Sequence, residues 1–175
     1  MKILIFGASG AGSTTQGKDL SAVLNIPYFD TDHYFWETSF TVKRDPVTRN
    51  SMLKADLAKQ ESFIVGGSLV SWGDEWTSIF DRAIFLYLPP DIRLERLRKR
   101  EFERYGDVIY TDPERTKLYE EFMDWAASYD TDTPRRSLAV HEAWMKKLTC
   151  PVLTIKEDLS VESRRERIQV FIRKN

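Results

Sequence analysis

A glycine-rich segment near the start of the chain combines residue types that can hold a phosphate group. An apolar run, Ile3 to Phe6, leads into the sequence GASGAGSTT at residues 7–15. Glycine lets the backbone turn tightly and approach an anion, so that successive N–H groups point inward. The helix predicted after this loop adds its positive N-terminal end, and the Thr14 hydroxyl can ligate the Mg²⁺ of a nucleotide. We predict that ATP with Mg²⁺ is bound by Gly7, Ser9, Gly10, Ala11, Gly12, Ser13, Thr14 and Thr15.

The loop departs from the P-loop pattern at one position. That pattern is G-x-x-x-x-G-K-[ST], and residues 7–14 read G-x-x-x-x-G-S-T, with Ser13 where the lysine is expected. One alternative is a purely structural glycine turn between a strand and a helix. Another is a dinucleotide-binding turn, because Asp30 follows about 20 residues later. The glycine order G-x-x-G-x-G, instead of G-x-G-x-x-G, disfavours the dinucleotide alternative.

Two carboxylates, Asp30 and Asp32, follow the second predicted strand. A phosphoryl-transfer site needs one carboxylate near the metal and another that accepts the proton of the attacking hydroxyl. Carboxylates two positions apart, just beyond a strand, can both face one crevice. The alternative is an Asx turn or a cap for the next segment.

Arginines are concentrated along a predicted helix at 91–104 and again after a break at 130–134. We expect Arg93 and Arg96 to form a solvated face. Arg100 and Arg104 lead into a predicted loop at 105–112 and could clamp a phosphate as part of a lid, although a solvated face is equally possible. Arg135 and Arg136 are predicted to start a helix, where cations oppose the dipole, which suggests a functional need for their charge.

An aromatic cluster could form an acceptor pocket or a small satellite core, and the sequence leaves both open. Its members are Tyr34, Phe35, Trp36, Phe40, Trp72 and Trp76. Arg44 or Arg49 could bind an anionic group of the acceptor in such a pocket. His141 shares a helical face with apolar residues and is predicted to lie in the core, whereas His33 is open to either interpretation.

The composition is that of an ordinary globular protein. The chain has 175 residues, 30% charged and 42% apolar, and a formal net charge of −1, which disfavours nucleic acid or anionic membrane as a partner. Cys150 is the only cysteine, so no internal disulfide or zinc cluster is expected. We expect one domain spanning 1–175, without a signal peptide or transmembrane run, located in the cytoplasm as a monomer or homodimer.

Apolar runs alternate with helical patterns along the whole chain. Strands are predicted at 3–6, 26–29, 62–65, 82–88 and 151–155. Helices are predicted at 13–24, 46–59, 91–104, 113–129, 135–148 and 160–173, with a short one near Asp74. This alternation indicates an α/β fold with a doubly wound parallel sheet, in which ligands bind beyond the carboxyl ends of the strands. All candidate site residues are predicted to lie at that edge.

Four segments carry a resemblance to a known family: GASGAGSTT, YFDTDHYFW, VGGS and LPPDIRLERLRKREFERYGD. They resemble the adenylate kinase/shikimate kinase branch of P-loop phosphotransferases, and the chain is similar to bacterial adenylate-kinase-like proteins whose P-loop lacks the lysine. The resemblance implies a three-layer α/β/α, nucleoside-monophosphate-kinase-like fold with a five-stranded parallel sheet. It also implies an acceptor-binding region at about 31–60 and a lid at about 104–112.

The same resemblance implies roles for individual residues. Asp30 would lie near Mg²⁺ and Asp32 at the acceptor hydroxyl, while Gly66 and Gly67 would contact the acceptor. Arg100 or Arg104 and Arg136 would act on the transferred phosphate. Arg44 is retained as a further candidate for the acceptor.

The resulting functional prediction is an ATP- and Mg²⁺-dependent small-molecule kinase. Its acceptor would be a nucleoside monophosphate or a small hydroxylated metabolite, and Gly-Gly-Ser at 66–68 favours the hydroxyl acceptor. Losing one charge-stabilising donor, such as the P-loop lysine, lowers the transfer rate about 10²- to 10³-fold. An arginine supplied by a lid can raise the rate about 10³- to 10⁵-fold. Lys18 is expected to point away from the loop and not to replace the lysine. The alternative is a nucleotide-binding regulator with weak or no catalysis.

Overall fold

A computed structural model describes residues 1–38, 42–131 and 136–173. In chain order its elements are β1 (Lys2–Gly7), α1 (Ser13–Leu24), β2 (Tyr28–Asp30), α2 (Thr31–Phe35), β3 (Trp36–Thr38), β4 (Val42–Lys43), α3 (Pro46–Leu57), β5 (Phe63–Gly66), β6 (Arg82–Leu86), α4 (Pro90–Tyr105), α5 (Val108–Thr111), α6 (Pro113–Ala127), α7 (Leu138–Met145), β7 (Val152–Ile155) and α8 (Val161–Arg173). Within these residues no helix is both long and apolar enough to cross a membrane.

The five predicted strands form one parallel sheet in the order β2-β5-β1-β6-β7. Strand β1 is central: Leu4 pairs with Val65 of β5 on one side and with Ala83 of β6 on the other. The predicted α/β fold with a five-stranded parallel sheet is therefore confirmed. Because all the strands run the same way, the loop after β1, Asp30 at the end of β2 and Gly67 after β5 meet at one edge.

Side chains of β1 alternate between two apolar layers, one on each face of the sheet. Leu4 and Phe6 belong to the layer covered by α3 and α7, which contribute Leu53 and Trp144. Ile3 and Ile5 belong to the layer on the opposite face, whose helical contributors are Leu20 of α1 and Ile168 of α8. This period of two is what a strand buried on both faces requires, and it makes the fold a three-layer α/β/α arrangement.

Several predicted boundaries are wrong. The segment expected as a loop at 105–112 contains helix α5, which is anchored by the buried side chain of Ile109. The hairpin of β3 and β4 was not predicted. Helix α7 begins at Leu138 and is capped by the Ser137 side chain, so Arg136 precedes the helix; Arg135 lies outside the described residues.

The prediction of a solvated face for Arg93 is also wrong. Arg93 on α4 is fully buried, and its Nε and Nη1 donate to the carbonyl oxygens of Leu88 and Ala126 at 3.0 and 3.2 Å. It also forms an ion pair with Asp130. The buried guanidinium therefore joins α4 to the end of α6, because each donor must find a partner away from water.

Candidate active site

The glycine loop turns between β1 and α1 through two residues with left-handed backbone conformation. Gly10 has φ of 83° and Gly12, directly before the helix, has φ of 96°. A Cβ on Gly10 would lie 2.8 Å from the carbonyl oxygen of Arg93. Both positions therefore require glycine, first for the backbone angle and second, at Gly10, for the close approach of α4.

The loop opens into a cleft of about 790 Å³ at the carboxyl edge of the sheet. Of the predicted nucleotide and metal ligands, it is lined by Gly7, Ser9, Gly10, Gly12, Ser13, Thr14, Thr15 and Asp30. Of the predicted catalytic and acceptor residues, it is lined by Asp32, Arg44, Gly67, Arg100, Arg104 and Arg136. The structure thus brings together residues from the start, the middle and the last third of the chain.

Two predicted site residues lie beneath the surface of the cleft. The Ala11 side chain is buried in the apolar layer with Leu20, and its N–H donates to the Ala8 carbonyl oxygen at 3.1 Å. Gly66 is buried against Tyr28, and a Cβ there would lie 2.2 Å from the Tyr28 hydroxyl oxygen. The next two residues, Gly67 and Ser68, line the cleft.

Thr14 and Asp30 form the pair that could hold a metal ion. The Thr14 hydroxyl donates to Asp30 Oδ2 at 3.2 Å, and the Tyr28 hydroxyl donates to the same oxygen at 3.1 Å. Burial raises the pKa of Tyr28, so that its phenol remains a donor. The described part of the chain contains no group of three or more His, Cys, Asp or Glu arranged so that they could hold a metal ion by themselves. One carboxylate and one hydroxyl, completed by phosphate oxygens and water, fit Mg²⁺.

Asp32 is the second residue of α2, and its N–H donates to Oδ1 of Asp30, the N-cap of that helix, at 3.0 Å. Removal from bulk water and the adjacent charge of Asp30 raise the pKa of Asp32, while the charges of three cleft arginines oppose that rise. These arginines are Arg136, Arg100 and Arg104. A carboxylate with a raised pKa, close to cations in a cleft, is suited to accept a proton.

The three arginines differ in their partners. Arg100 donates from Nε and Nη2 to Glu101 Oε1 at 3.0 and 2.8 Å, and its guanidinium lies 5.5 Å from the ring centre of Phe122. Arg104 lies 3.8 Å from the same carboxylate oxygen. Arg136 instead has its guanidinium 5.5 Å from the ring centre of Phe35, and its φ of 45° is rare for a residue with a side chain.

The aromatic cluster belongs largely to the core. Tyr34, Trp72 and Trp76 lie in the apolar layer beside α3, which favours the core interpretation over an acceptor pocket. Arg49 is buried with its guanidinium 4.4 Å from the Trp72 ring centre. Phe40 lies outside the described residues.

Arg44 supports the chain around α2 and also lines the cleft. Its Nε and Nη2 donate to the carbonyl oxygens of Tyr34 and Trp36, each at 3.0 Å. These contacts fix the guanidinium beside the predicted acceptor region.

Sequence reasoning missed two features of the cleft. Lys18 was expected to point away but lines the cleft, since it lies four residues after Thr14 on the same helical face. The hydroxyl oxygen of Ser68, two residues beyond β5, lies 2.8 Å from His141 Nε2. His141 is buried in the core against Phe6 and Phe85, as predicted, but both of its ring nitrogens also have hydroxyl partners.

Comparison with known proteins gives relatives at two levels of similarity. The chain is 43% identical over 174 residues to the uncharacterized protein YqaC of Bacillus subtilis (strain 168), covering 99% of this chain and 98% of YqaC. It is 25% identical over 154 residues to the shikimate kinase of Aeromonas salmonicida, covering 76% of this chain and 90% of that enzyme. No family model matches the sequence.

Two solved structures share the fold over nearly the whole chain. The shikimate kinase of Bacteroides thetaiotaomicron has a TM-score of 0.60 at 21% identity, with 99% of each chain covered. The deoxyadenosine kinase of M. mycoides with bound dATP has a TM-score of 0.61 at 18% identity, covering 99% of this chain and 100% of that one. The chain therefore belongs to the family of YqaC, and its sequence and structural neighbours support a P-loop small-molecule kinase family.

Proposed function

We propose that the protein is an ATP- and Mg²⁺-dependent phosphotransferase that acts on a small-molecule acceptor. The observation that carries this proposal is the single cleft in which the glycine loop, the Thr14–Asp30 pair and Asp32 meet. The main-chain amides of residues 8–14 would hold the polyphosphate, with the N-terminal end of α1 behind them. The kinase neighbours support the same class of reaction.

The proposed reaction moves the γ-phosphoryl group of ATP to an acceptor hydroxyl. A bond forms between the hydroxyl oxygen and the γ-phosphorus, the bond from that phosphorus to the β–γ bridging oxygen breaks, and ADP leaves. The hydroxyl proton passes to the Asp32 carboxylate, whose raised pKa suits this role. Thr14 and Asp30 would hold the Mg²⁺, which neutralises phosphate charge when bound.

The missing lysine is compensated in this proposal by cations elsewhere in the cleft. Arg136 and Lys18 line it, as do Arg100 and Arg104 near the proposed lid at 104–112. A lid arginine can contribute about 10³- to 10⁵-fold, which exceeds the about 10²- to 10³-fold loss of one charge-stabilising donor. Compensation is therefore large enough in principle.

The acceptor would bind in the region 31–60, between α2 and the end of β5. A hydroxylated metabolite is favoured over a nucleoside monophosphate, because Gly67 and Ser68 occupy the strand end where a nucleotide kinase would be expected to place an arginine. Shikimate and deoxyadenosine, which give their names to the neighbours' activities, are the first acceptors to test.

A second candidate function is a nucleotide-binding regulator with weak or no catalysis. The observation that favours it is Ser13, whose short hydroxyl lines the cleft where a lysine ammonium would otherwise lie. Binding of ATP would then change the conformation without phosphate transfer.

One assay separates the two functions. The protein is incubated with γ-labelled ATP, Mg²⁺ and a panel containing shikimate, deoxyadenosine, AMP and glycerate, while ATP binding is measured by calorimetry. A kinase transfers label to at least one acceptor, and Asp32→Asn reduces that transfer about 10²- to 10⁴-fold while leaving ATP affinity within about twofold. ATP binding without transfer to any acceptor supports the regulator. No ATP binding contradicts both.

A further inference from the structure

A chain of three polar side chains runs from the protein interior to the floor of the cleft. The Tyr129 hydroxyl oxygen lies 2.6 Å from His141 Nδ1, and His141 Nε2 lies 2.8 Å from the Ser68 hydroxyl oxygen. Tyr129, His141 and Ser68 are 4%, 1% and 6% exposed, and Ser68 lines the cleft beside Gly67. The network therefore connects α7 to the carboxyl end of β5 at the proposed acceptor site.

The positions of the hydrogens follow from what Tyr129 can do. A neutral imidazole donates from one nitrogen and accepts at the other, so the network has two possible polarities. If His141 donated from Nδ1, the Tyr129 hydroxyl hydrogen would be buried without an acceptor among the described residues. Burying an unpaired donor carries a substantial desolvation cost. Tyr129 therefore donates to Nδ1, and His141 donates from Nε2 to Ser68.

This polarity leaves the Ser68 hydroxyl as a donor towards the cleft. Its oxygen accepts from His141 Nε2 and also from the Val70 N–H at 3.4 Å. A hydroxyl oxygen has two lone pairs, and both are directed at these donors. The hydroxyl hydrogen remains, and the open side of Ser68 is the cleft.

A nucleophilic serine activated by histidine is not supported by the same network. Burial and the neighbouring charge of Arg136 lower the pKa of His141 to about 4. A base this weak accepts a proton from serine poorly at neutral pH. The neutral imidazole is instead a fixed donor to Ser68, and Arg136, whose charge acts on His141, lines the same cleft as Ser68.

We propose that Ser68 is a specificity-determining residue that donates a hydrogen bond to an acceptor oxygen, such as a carboxylate, phosphate or carbonyl oxygen, of the phosphoryl acceptor. His141 and Tyr129 are positioning residues that keep the Ser68 hydroxyl in the donor orientation. This inference rests on the proposed function for the identity of the ligand. It selects against acceptors that present an N–H group at this point, because two donors would then face each other.

The first test reads the tautomer of His141 directly. Nitrogen-15 NMR of the histidine-labelled full chain at pH 7 distinguishes hydrogen on Nε2 from hydrogen on Nδ1. We expect the Nε2–H form in the wild type and a mixture of both forms in Tyr129→Phe, which removes the donor to Nδ1. A wild-type spectrum with the Nδ1–H form overturns the proposal, whatever the kinase assay shows.

The second test measures binding without requiring turnover. With ADP and Mg²⁺ present, calorimetry ranks shikimate and AMP against their neutral analogues, shikimate amide and adenosine. Ser68→Ala should weaken the best-binding anion about tenfold to a hundredfold and its neutral analogue less, while Tyr129→Phe weakens the anion several-fold. The exposed Ser78, which is not among the cleft-lining residues, provides the matched control Ser78→Ala, with an expected change below about twofold.

The outcomes separate this proposal from the proposed function. Unchanged affinity in Ser68→Ala, or no binding by either anion, overturns the role of Ser68. Binding that depends on Ser68 without any phosphate transfer supports the donor role and contradicts the kinase activity. If transfer occurs, Ser68→Ala should raise KM for the acceptor with a smaller effect on kcat.

Discussion

Arg164 on α8 donates a hydrogen bond from Nη1 to the main-chain carbonyl oxygen of Ala11 in the glycine loop, at 3.1 Å. Its Nη2 and Nε donate to the Leu159 carbonyl oxygen at 3.0 and 3.3 Å. Asp158 acts on Arg164 electrostatically but forms its ion pair with Arg96, at 2.5 Å. The buried guanidinium is thus held by carbonyl oxygens and adds positive charge directly behind the loop.

Replacing this guanidinium should weaken both the loop and its affinity for nucleotide. We expect Arg164→Gln to lower the free energy of unfolding by about 1–3 kcal/mol, because the Ala11 carbonyl loses its buried donor. ATP affinity with Mg²⁺ should fall about tenfold, since a nearby positive charge is removed. Urea unfolding and calorimetry measure the two effects.

The neighbouring Arg167 provides the matched control. Arg167 lies on the same helix as Arg164 and pairs at 2.7 Å with Glu157, which precedes that helix; both side chains of the pair are about half exposed. Arg167→Gln should change stability by about 0–1 kcal/mol and leave ATP affinity unaltered. Equal ATP affinity in Arg164→Gln and wild type would show that Arg164 does not organise the loop for nucleotide.

The arginines of the cleft should contribute unequally to phosphate transfer. Arg136→Ala is expected to slow single-turnover transfer about 10³-fold, because Arg136 lines the cleft and its charge acts on Asp32. Arg100→Ala should cost less than about tenfold, since Glu101 already accepts from two of its donors. The comparison requires single-turnover kinetics with saturating ATP and the best acceptor of the panel.

Arg98, which lies on α4 with Arg100, is exposed and does not line the cleft. The variant Arg98→Ala is therefore the control for the loss of a positive charge in general. Its rate should match that of the wild type. A rate for Arg136→Ala equal to that of Arg98→Ala would contradict compensation by Arg136 for the missing lysine.

The strands were predictable because buried parallel strands read as continuous apolar runs. The segments that failed carry little such signal: β3 and β4 are three and two residues long and mostly exposed, and α5 has four residues. Arg93 shows a different limit. Its burial depends on the Ala126 carbonyl and Asp130, which lie 33 and 37 positions away. Partners this distant cannot be recognised from the sequence pattern of α4.

The cleft was predictable where it follows from topology. The glycine loop, Asp30 and Asp32 each follow a strand, and parallel strands bring their carboxyl ends together. The pairing of Ser68 with His141 was not predictable, because the two residues are 73 positions apart and approach through tertiary packing alone. Lys18 could have been found by measuring its helical angle from Thr14 instead of from Ser13.

The pH dependence of transfer should report on Asp32. Proton acceptance requires the ionised carboxylate, and the raised pKa of Asp32 shifts the acidic limb of kcat above the pH expected for an ordinary carboxyl group. Arg136→Gln removes a charge that opposes this rise, so the limb should move to still higher pH. A limb at the same pH in both proteins would mean that another group controls it.

The stability of the protein should fall in mild acid because of His141. Burial and the charge of Arg136 lower the pKa of His141 to about 4 from the ordinary 6.5. Between these values the unfolded chain binds a proton that the folded chain does not, so the free energy of unfolding decreases as the pH falls. The full loss, reached near pH 4, is about 3 kcal/mol, and no such loss occurs above pH 6.5.

Urea unfolding of wild type and His141→Gln between pH 7 and pH 4 measures this contribution. Glutamine does not titrate, so the variant is expected to be less stable at pH 7 but to lose less stability on acidification. The exposed His33 supplies the control His33→Gln, which should keep the wild-type slope. Parallel slopes for wild type and His141→Gln would show that His141 is not held neutral by the network with Tyr129 and Ser68.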